Sequence, residues 1–350
     1  MTDPGSLVSR PVRVLVVDDS AAMRAVLGRV LASDPGIEVV GSAPEPSVAR
    51  AMIKQLNPDV LTLDVEMPGM DGLSFLERIM RLRPMPVVMC STLTARGSEV
   101  TIEALRLGAV DCVAKPAGNP LEIEADGERL CASVRAAARS VVRGRTVVPT
   151  RIASAGAIGD RVIAIGASTG GVEALFAILG ALPADSPPIL VVQHMPEGFT
   201  AGFASRLDRD CAVRVTEARD GDTVERGTVY IAPGGANHME LLDGRPPLIR
   251  LRPGDPVGGH RPAVDVLFHS VARRGPGAVG VILTGMGRDG ADGLLAMRTA
   301  GARTLGQSAE SCVVHGMPRV AAERGAIEQS VDLSGLAEAI LRACRSKEDR

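Results

Sequence analysis

Short apolar, β-branched runs alternate along the chain with stretches in which apolar residues recur three and four positions apart. In the first third, "VRVLVV" (12–17), "IEVVGSA", "DVLTLDV", "PVVMCST" and "DCVAKP" have the length and composition of buried strands. Between them lie a helical pattern running to Leu31, "PSVARAMIKQL", "GLSFLERIMRL" and "EVTIEALRLG", and "GERLCASVRAAARSVV" follows the last strand. From Arg143 to Asp160 the apolar period fades into scattered Gly, Pro, Ser and Thr, which reads as a linker. A second series then begins. "RVIAIGAS", "PILVVQHM", "GTVYIAP" and "AVGVILTGM" read as strands, and "GVEALFAILGAL", "AVDVLFHSVARR" and "DGLLAMRTAG" as helices. Strands alternating with helices specify parallel sheets covered on both faces, so each half is predicted to be a doubly wound α/β domain. A chain of 350 residues is long enough for two such domains.

Composition narrows the reading. Apolar residues make up 45% of the chain but aromatic residues only 2%, so the cores are aliphatic. A net charge of −2 gives no basic excess for nucleic acid or an anionic membrane. No apolar run is long enough to span a bilayer, and "MTDPGSLVSR" lacks the apolar segment of a secretory signal. The six cysteines form no C-x-x-C pair and read as reduced core residues. Together these features predict a cytoplasmic protein.

Ligands of open parallel sheets sit at the carboxyl ends of the strands. In the first half those ends carry Asp18 and Asp19, Asp64, Ser91 and Lys115. Carboxylates gathered there repel one another unless a cation is present, and an all-oxygen donor set suits Mg²⁺. An ionised Asp64 could attack a phosphoryl group, with Lys115 and the Ser91 hydroxyl holding the phosphate oxygens. "VLVVDDS", "LTLDVEMPGMDGL", "PVVMCSTLT" and "AVDCVAKP" resemble the receiver domain of two-component response regulators over residues 11–135. That resemblance implies a flavodoxin-like fold, Asp64 as phosphoacceptor, and Asp19 as the main Mg²⁺ carboxylate with Asp18 assisting. It also implies the Glu66 carbonyl as a metal ligand and Ser91 and Lys115 as switch residues. The family's usual aromatic switch position holds Cys112 instead.

In the second half, Gly166-Ala-Ser168-Thr-Gly170 fits G-x-S-x-G, a tight strand-to-helix turn that lifts a serine above a sheet. A phosphate cradle competes with this reading, but G-x-G-x-x-G and G-K-[ST] are both absent. A nucleophilic serine needs a base and an orienting carboxylate. His194 ends the next strand and competes with His238, His260, His269 and His315; His238 and His260 lie in loops that spacing does not exclude, and His269 falls in a helical pattern. "VILTGMGRDGADG" offers Asp289 and Asp292, the latter suited to starting a helix, and the "TGMG" amides are candidate oxyanion donors. The order Ser, His, Asp differs from the Ser, Asp, His order of α/β-hydrolases.

With these residues assembled, "IGASTGG", "VVQHMP", "YIAPGG", "RPAVDVLFHSVA", "ILTGMGRDGADG" and "CVVHGMPRVA" resemble the catalytic domain of chemotaxis protein-glutamate methylesterases. The resemblance implies a receiver at 11–135, a helix end and linker at 136–160, and a Rossmann-like parallel-sheet catalytic domain at 161–345. It implies Ser168 as nucleophile, His194 as base, Asp289 as its orienter, Met286 as an oxyanion donor through its amide, and Thr169 as an active-site neighbour. The implied activity is phosphorylation-controlled demethylation of receptor glutamates with release of methanol, and deamidation of receptor glutamines, with no cofactor for the ester chemistry. The implied partners are methyl-accepting chemotaxis receptors as substrate and the chemotaxis histidine kinase as phosphodonor. In the family the unphosphorylated receiver packs over the catalytic cleft. The same chemistry could serve a non-flagellar chemosensory pathway. A DNA-binding regulator would need a small basic output domain, which this chain lacks, and an inactive scaffold does not suit an intact Ser168, His194 and Asp289.

Overall fold

A computed structural model of the chain describes residues 10–65, 67, 72–91, 95–116, 120–140, 151–156, 159 and 161–345. The chain divides into two compact units, Met1–Thr92 with Ala109–Ser140, and Leu93–Gly108 with Val141–Arg350. Each holds its own parallel sheet.

The first sheet comprises β1 (Val12–Val17), β2 (Ile37–Ala43), β3 (Val60–Asp64), β4 (Val87–Ser91) and β5 (Asp111–Ala114). Their spatial order is β2-β1-β3-β4-β5, with every neighbouring pair parallel. Every residue of β3 and β4 is buried, which explains why both read as unbroken apolar runs rather than alternating ones. The strand order reverses between β1 and β3, so a crevice opens at their carboxyl ends.

Local chemistry sets the helix limits. The Ser20 side chain accepts from the Met23 amide and caps α1 (Ala21–Ala32). α2 (Pro46–Leu56) starts on a proline and stops at Asn57, which adopts a left-handed φ of 48°. α3 (Gly72–Leu82) buries Phe75, Leu76, Ile79 and Met80 along one stripe. α4 (Ala95–Arg106) lies in the Leu93–Gly108 segment, and α5 is Pro120–Ala138. The sequence pattern places the start of α5 later, because "PLEIEAD" carries too few apolar residues to mark a first turn.

The second sheet is larger. Its strands are β6 (Val162–Ala167), β7 (Ile189–Gln193), β8 (Arg214–Glu217), β9 (Thr228–Ile231), β12 (Ala278–Ile282), β13 (Arg303–Gln307) and β14 (Gln329–Val331). They lie in the order β14-β13-β12-β6-β7-β9-β8, all parallel. The chain moves outward from β6 through β7 on one side and returns through β12 on the other. The switch point therefore falls at the carboxyl end of β6. β10 (Asn237–Leu242) and β11 (Leu248–Pro253) form a separate antiparallel hairpin. Its Met239, Leu241 and Ile249 join the core beside Val264, Leu267 and Phe268 of α8 (Val264–Ala272). The remaining helices are α6 (Gly171–Ala181), α7 (Phe199–Asp210), α9 (Ala291–Thr299), α10 (Met317–Glu323) and α11 (Leu333–Cys344).

Part of the linker stretch belongs to this second unit. The Ile152 amide donates to the Ala181 carbonyl at 2.9 Å, and Asp185 accepts from the Ser154 hydroxyl at 2.8 Å and the Ala155 amide at 3.0 Å. Among the described residues no helix is long and apolar enough to cross a membrane, and five of the six free cysteines are buried.

Candidate active site

The carboxyl ends of β1, β3 and β4 converge. Asp18, Asp19 and Asp64 each direct a carboxylate oxygen to within 4.8 Å of the other two. Lys115, just beyond β5, sets its Nζ 2.8 Å from Asp18 Oδ2 and 2.7 Å from Asp64 Oδ2. Burial pushes the Lys115 ammonium down, but its hydrogen bonds to Asp18 and Asp64 and their charges outweigh this and raise it above 10.5. The Asp18 Oδ1 accepts from the Ser20 amide, and the Arg24 guanidinium donates to the Asp18 and Asp19 carbonyls, both at 2.9 Å. Ser91 ends β4, buried, and its carbonyl accepts from the Lys115 amide. Glu66 lies outside the described residues. Cys112 is buried, and burial beside the acids pushes the neighbouring Cys90 thiol up to about 12. Three carboxylates offering only oxygen suit a hard divalent cation such as Mg²⁺. Asp18 and Asp19 would hold it, where it would neutralise charge on a transferring phosphoryl group.

In the second unit, Ser168 follows β6 in the turn into α6. Its amide donates to the Thr284 carbonyl at 3.1 Å and its carbonyl accepts from the Gly171 amide at 2.7 Å. The Gln193 side-chain amide donates to the carbonyls of both Ser168 and His194, at 2.9 and 3.1 Å, and so ties the serine turn to the end of β7. The backbone beyond β12 presses on the same turn: a methyl group placed on Gly285 would lie 2.7 Å from the Ser168 Cβ. Only glycine permits that approach. Thr284 links the pieces, donating to the Thr169 carbonyl at 3.0 Å and accepting from the Val314 amide at 3.0 Å.

His194 and Asp289 meet: Nε2 and Oδ2 are 2.8 Å apart. Asp289 also accepts from the first amides of α8, Val264 at 2.7 Å and Asp265 at 3.0 Å. Burial alone would push Asp289 up, but the His194 hydrogen bond and charge and these amides hold it below its ordinary 3.8. An ionised carboxylate on Nε2 keeps the proton there, so Nδ1 of the neutral ring is the basic nitrogen. His194 Nδ1 is buried and has no hydrogen-bond partner among the described residues.

The other sequence candidates separate. Asp292 sits in the first turn of α9, ion-paired to Arg324. His269 is exposed on α8. His238, expected in a loop, instead lies on β10 of the hairpin and is buried, with Nε2 at 2.9 Å from the Asp255 carbonyl and Nδ1 accepting from the Ala263 amide at 3.1 Å. His260 lies flat on His194, ring centres 3.8 Å apart. Met286 is partly exposed just after Gly285, whose carbonyl accepts from the Gly316 and Met317 amides. Sequence reasoning missed Gln193, Thr284 and the α8 amides as supports. An amide or hydroxyl adjoining a motif residue is a weak signal, and backbone donors leave none.

Residues 163–340 match the CheB methylesterase family model and residues 14–125 the response regulator receiver domain. The Caulobacter vibrioides protein-glutamate methylesterase/protein-glutamine glutaminase 1 is 58% identical, covering 94% of this chain and 97% of that one. The Rhizobium johnstonii protein of the same name is 54% identical, covering 98% and 99%. The crystal structure of the Thermotoga maritima CheB methylesterase catalytic domain is 37% identical with a TM-score of 0.51, covering 52% of this chain and 97% of that one. The chain belongs to the CheB methylesterase family and carries a response regulator receiver domain at its amino-terminal side.

Proposed function

We propose that this protein hydrolyses γ-glutamyl methyl esters and glutamine side-chain amides on chemotaxis receptors, using Ser168 as nucleophile. The observation that carries the reading is the His194 ring. Its Nε2 is committed to Asp289, its buried Nδ1 is unpartnered among the described residues, and its backbone is tied to the turn that holds Ser168, through its amide to the Ala167 carbonyl and through Gln193.

His194 Nδ1 takes the Ser168 hydroxyl proton as Oγ attacks the ester carbonyl. The bond to the methoxy oxygen breaks, and the proton passes from His194 to the leaving group, giving methanol and an acyl-serine. Water then attacks the acyl carbon, losing a proton to His194. The acyl–Oγ bond breaks, Ser168 regains its proton, and a glutamate carboxylate leaves. With a glutamine side chain the first leaving group is ammonia. Asp289 holds the ring and offsets the imidazolium charge. The Met286 amide is the proposed donor to the oxyanion, and Thr169 lines the site.

Asp64 is the proposed phosphoacceptor. Its carboxylate attacks the phosphorus of a phosphohistidine kinase, the N–P bond breaks, and Lys115 and Ser91 hold the oxygens of the resulting acyl phosphate. This modification raises hydrolase activity. A cytoplasmic location follows from such partners.

The test is methanol release from a methylated receptor cytoplasmic fragment. Ser168→Ala should abolish turnover while leaving the circular dichroism spectrum and Tm unchanged. More than a few per cent of residual activity would refute Ser168 as nucleophile.

A further inference from the structure

The rings of His194 and His260 stack at 3.8 Å with only 6° between their planes. Resting on the proposed role of His194 as base, we infer that His260 is a positioning residue that fixes the plane of the catalytic imidazole.

The need for such a residue follows from the hydrogen bonding. Among the described residues His194 has one side-chain hydrogen-bond anchor, the Nε2 contact to Asp289. A single bond at Nε2 leaves the ring able to pivot about the line from Cγ toward that nitrogen. Pivoting changes the direction in which Nδ1 points while the Asp289 bond survives, and a base must hold that direction toward the serine it serves. A flat contact across the ring face removes that freedom.

The strap that delivers His260 is built to hold position. Val257 and His260 exchange two backbone hydrogen bonds, both 3.0 Å. Gly258 and Gly259 between them have φ of 60° and 86°, the two positive values that a type I′ turn requires. Arg261 donates to the Gly235 carbonyl at 2.6 Å and the Gly254 carbonyl at 2.9 Å. His238 grips the strap on either side of that turn, through the Asp255 carbonyl and the Ala263 amide. The next two residues of the same segment, Val264 and Asp265, supply both amides that hold Asp289. One continuous stretch, 257–265, therefore orients the base through its ring face and the carboxylate through its oxygens.

The experiment compares His260→Ala, His260→Phe and the parent protein in steady-state methanol release from the methylated receptor fragment. Loss of a stacked ring pair of this kind should lower kcat by about three- to tenfold. KM should stay unchanged, because orientation of the base matters for proton transfer and not for docking. His260→Phe, which restores a flat ring without a titratable nitrogen, should recover most of the lost kcat. Near-ultraviolet circular dichroism and Tm establish that both variants are folded. A folded His260→Ala protein with parental kcat would overturn the inference. So would a rise in KM alone, or a His260→Phe protein as slow as the alanine variant. Ser168→Ala run alongside separates the two readings: activity surviving that change refutes the nucleophile assignment, whatever the His260 variants do.

Discussion

Replacing Asp289 by Asn removes a charge while keeping the shape of the side chain. Asp289 is 4% exposed, and its two oxygens accept from three donors: His194 Nε2 and the Val264 amide on Oδ2, the Asp265 amide on Oδ1. In the proposed mechanism the carboxylate faces an imidazolium whenever the serine proton is in transit. Unit charges about 4 Å apart at an effective dielectric near 20 attract by about 4 kcal/mol. Losing that stabilisation in the transition state corresponds to a fall in kcat on the order of 10³. The substitution also carries a folding cost. Asn has one oxygen where the carboxylate has two, so at least one buried α8 amide faces an NH₂ group. An unsatisfied buried donor costs roughly 1–3 kcal/mol, which for a domain of this size lowers Tm by roughly 2–10 °C.

The measurements are kcat for methanol release and Tm by calorimetry, both at pH 7. Asp289 sits below its ordinary 3.8, so its contribution to stability is present in full above that value and is lost as pH falls through the lower folded value. The parent and Asn proteins should therefore differ in Tm at pH 7 and converge in strong acid. A folded Asp289→Asn protein with kcat within tenfold of the parent would refute the role given to the carboxylate. An unchanged Tm at pH 7 would refute the hydrogen-bond accounting.

Asp64→Asn should keep basal hydrolysis but lose any stimulation by a small-molecule phosphodonor with Mg²⁺; stimulation that survives would place the phosphoacceptor elsewhere. His315 is held below its ordinary 6.5 by burial and by the charge of Arg319, so the unfolded chain binds its proton first as pH falls. Stability should therefore decline as pH drops from 6.5 toward the lower folded value, and His315→Asn should flatten that decline in urea titrations; parallel slopes for the two proteins would argue against it. Burial pushes the Cys90, Cys211 and Cys344 thiols up to about 12, so all three should resist a thiol-disulfide reagent at pH 8 until the protein is unfolded. Rapid labelling in the native state would contradict that shielding.

The strands whose ends carry chemistry were the most legible parts of the chain. β1 and α3 coincide with the apolar runs read at 12–17 and 72–82, because each is either buried on both faces or striped on one. The short strands β8 and β14 were not read, and their burial explains why. Each lies at an edge of its sheet, and β14 has no buried residue, so no apolar run marks it. The β10–β11 hairpin was also missed. Its buried residues cover a helix rather than extend the main sheet, and its partly exposed β11 "LIRLRP" resembles a polar loop.

The same contrast separates the site residues. In a parallel sheet every strand exits toward the same edge, so a residue that ends a strand has its position fixed by topology. Ser168 after β6, His194 after β7, and Asp289 in the loop after β12 satisfy that condition, since β7, β6 and β12 are consecutive neighbours. His260 does not. It reaches His194 through a two-glycine turn, a buried histidine and an arginine that grips two carbonyls, none of which has a period in sequence. Strand order dictates which groups can react, whereas the orientation of those groups is set by loops whose contacts appear only once the chain is folded. The His260 variants therefore probe a layer of the site that pattern reading could not reach, and a kcat loss with unchanged KM that His260→Phe recovers is the outcome expected of that layer.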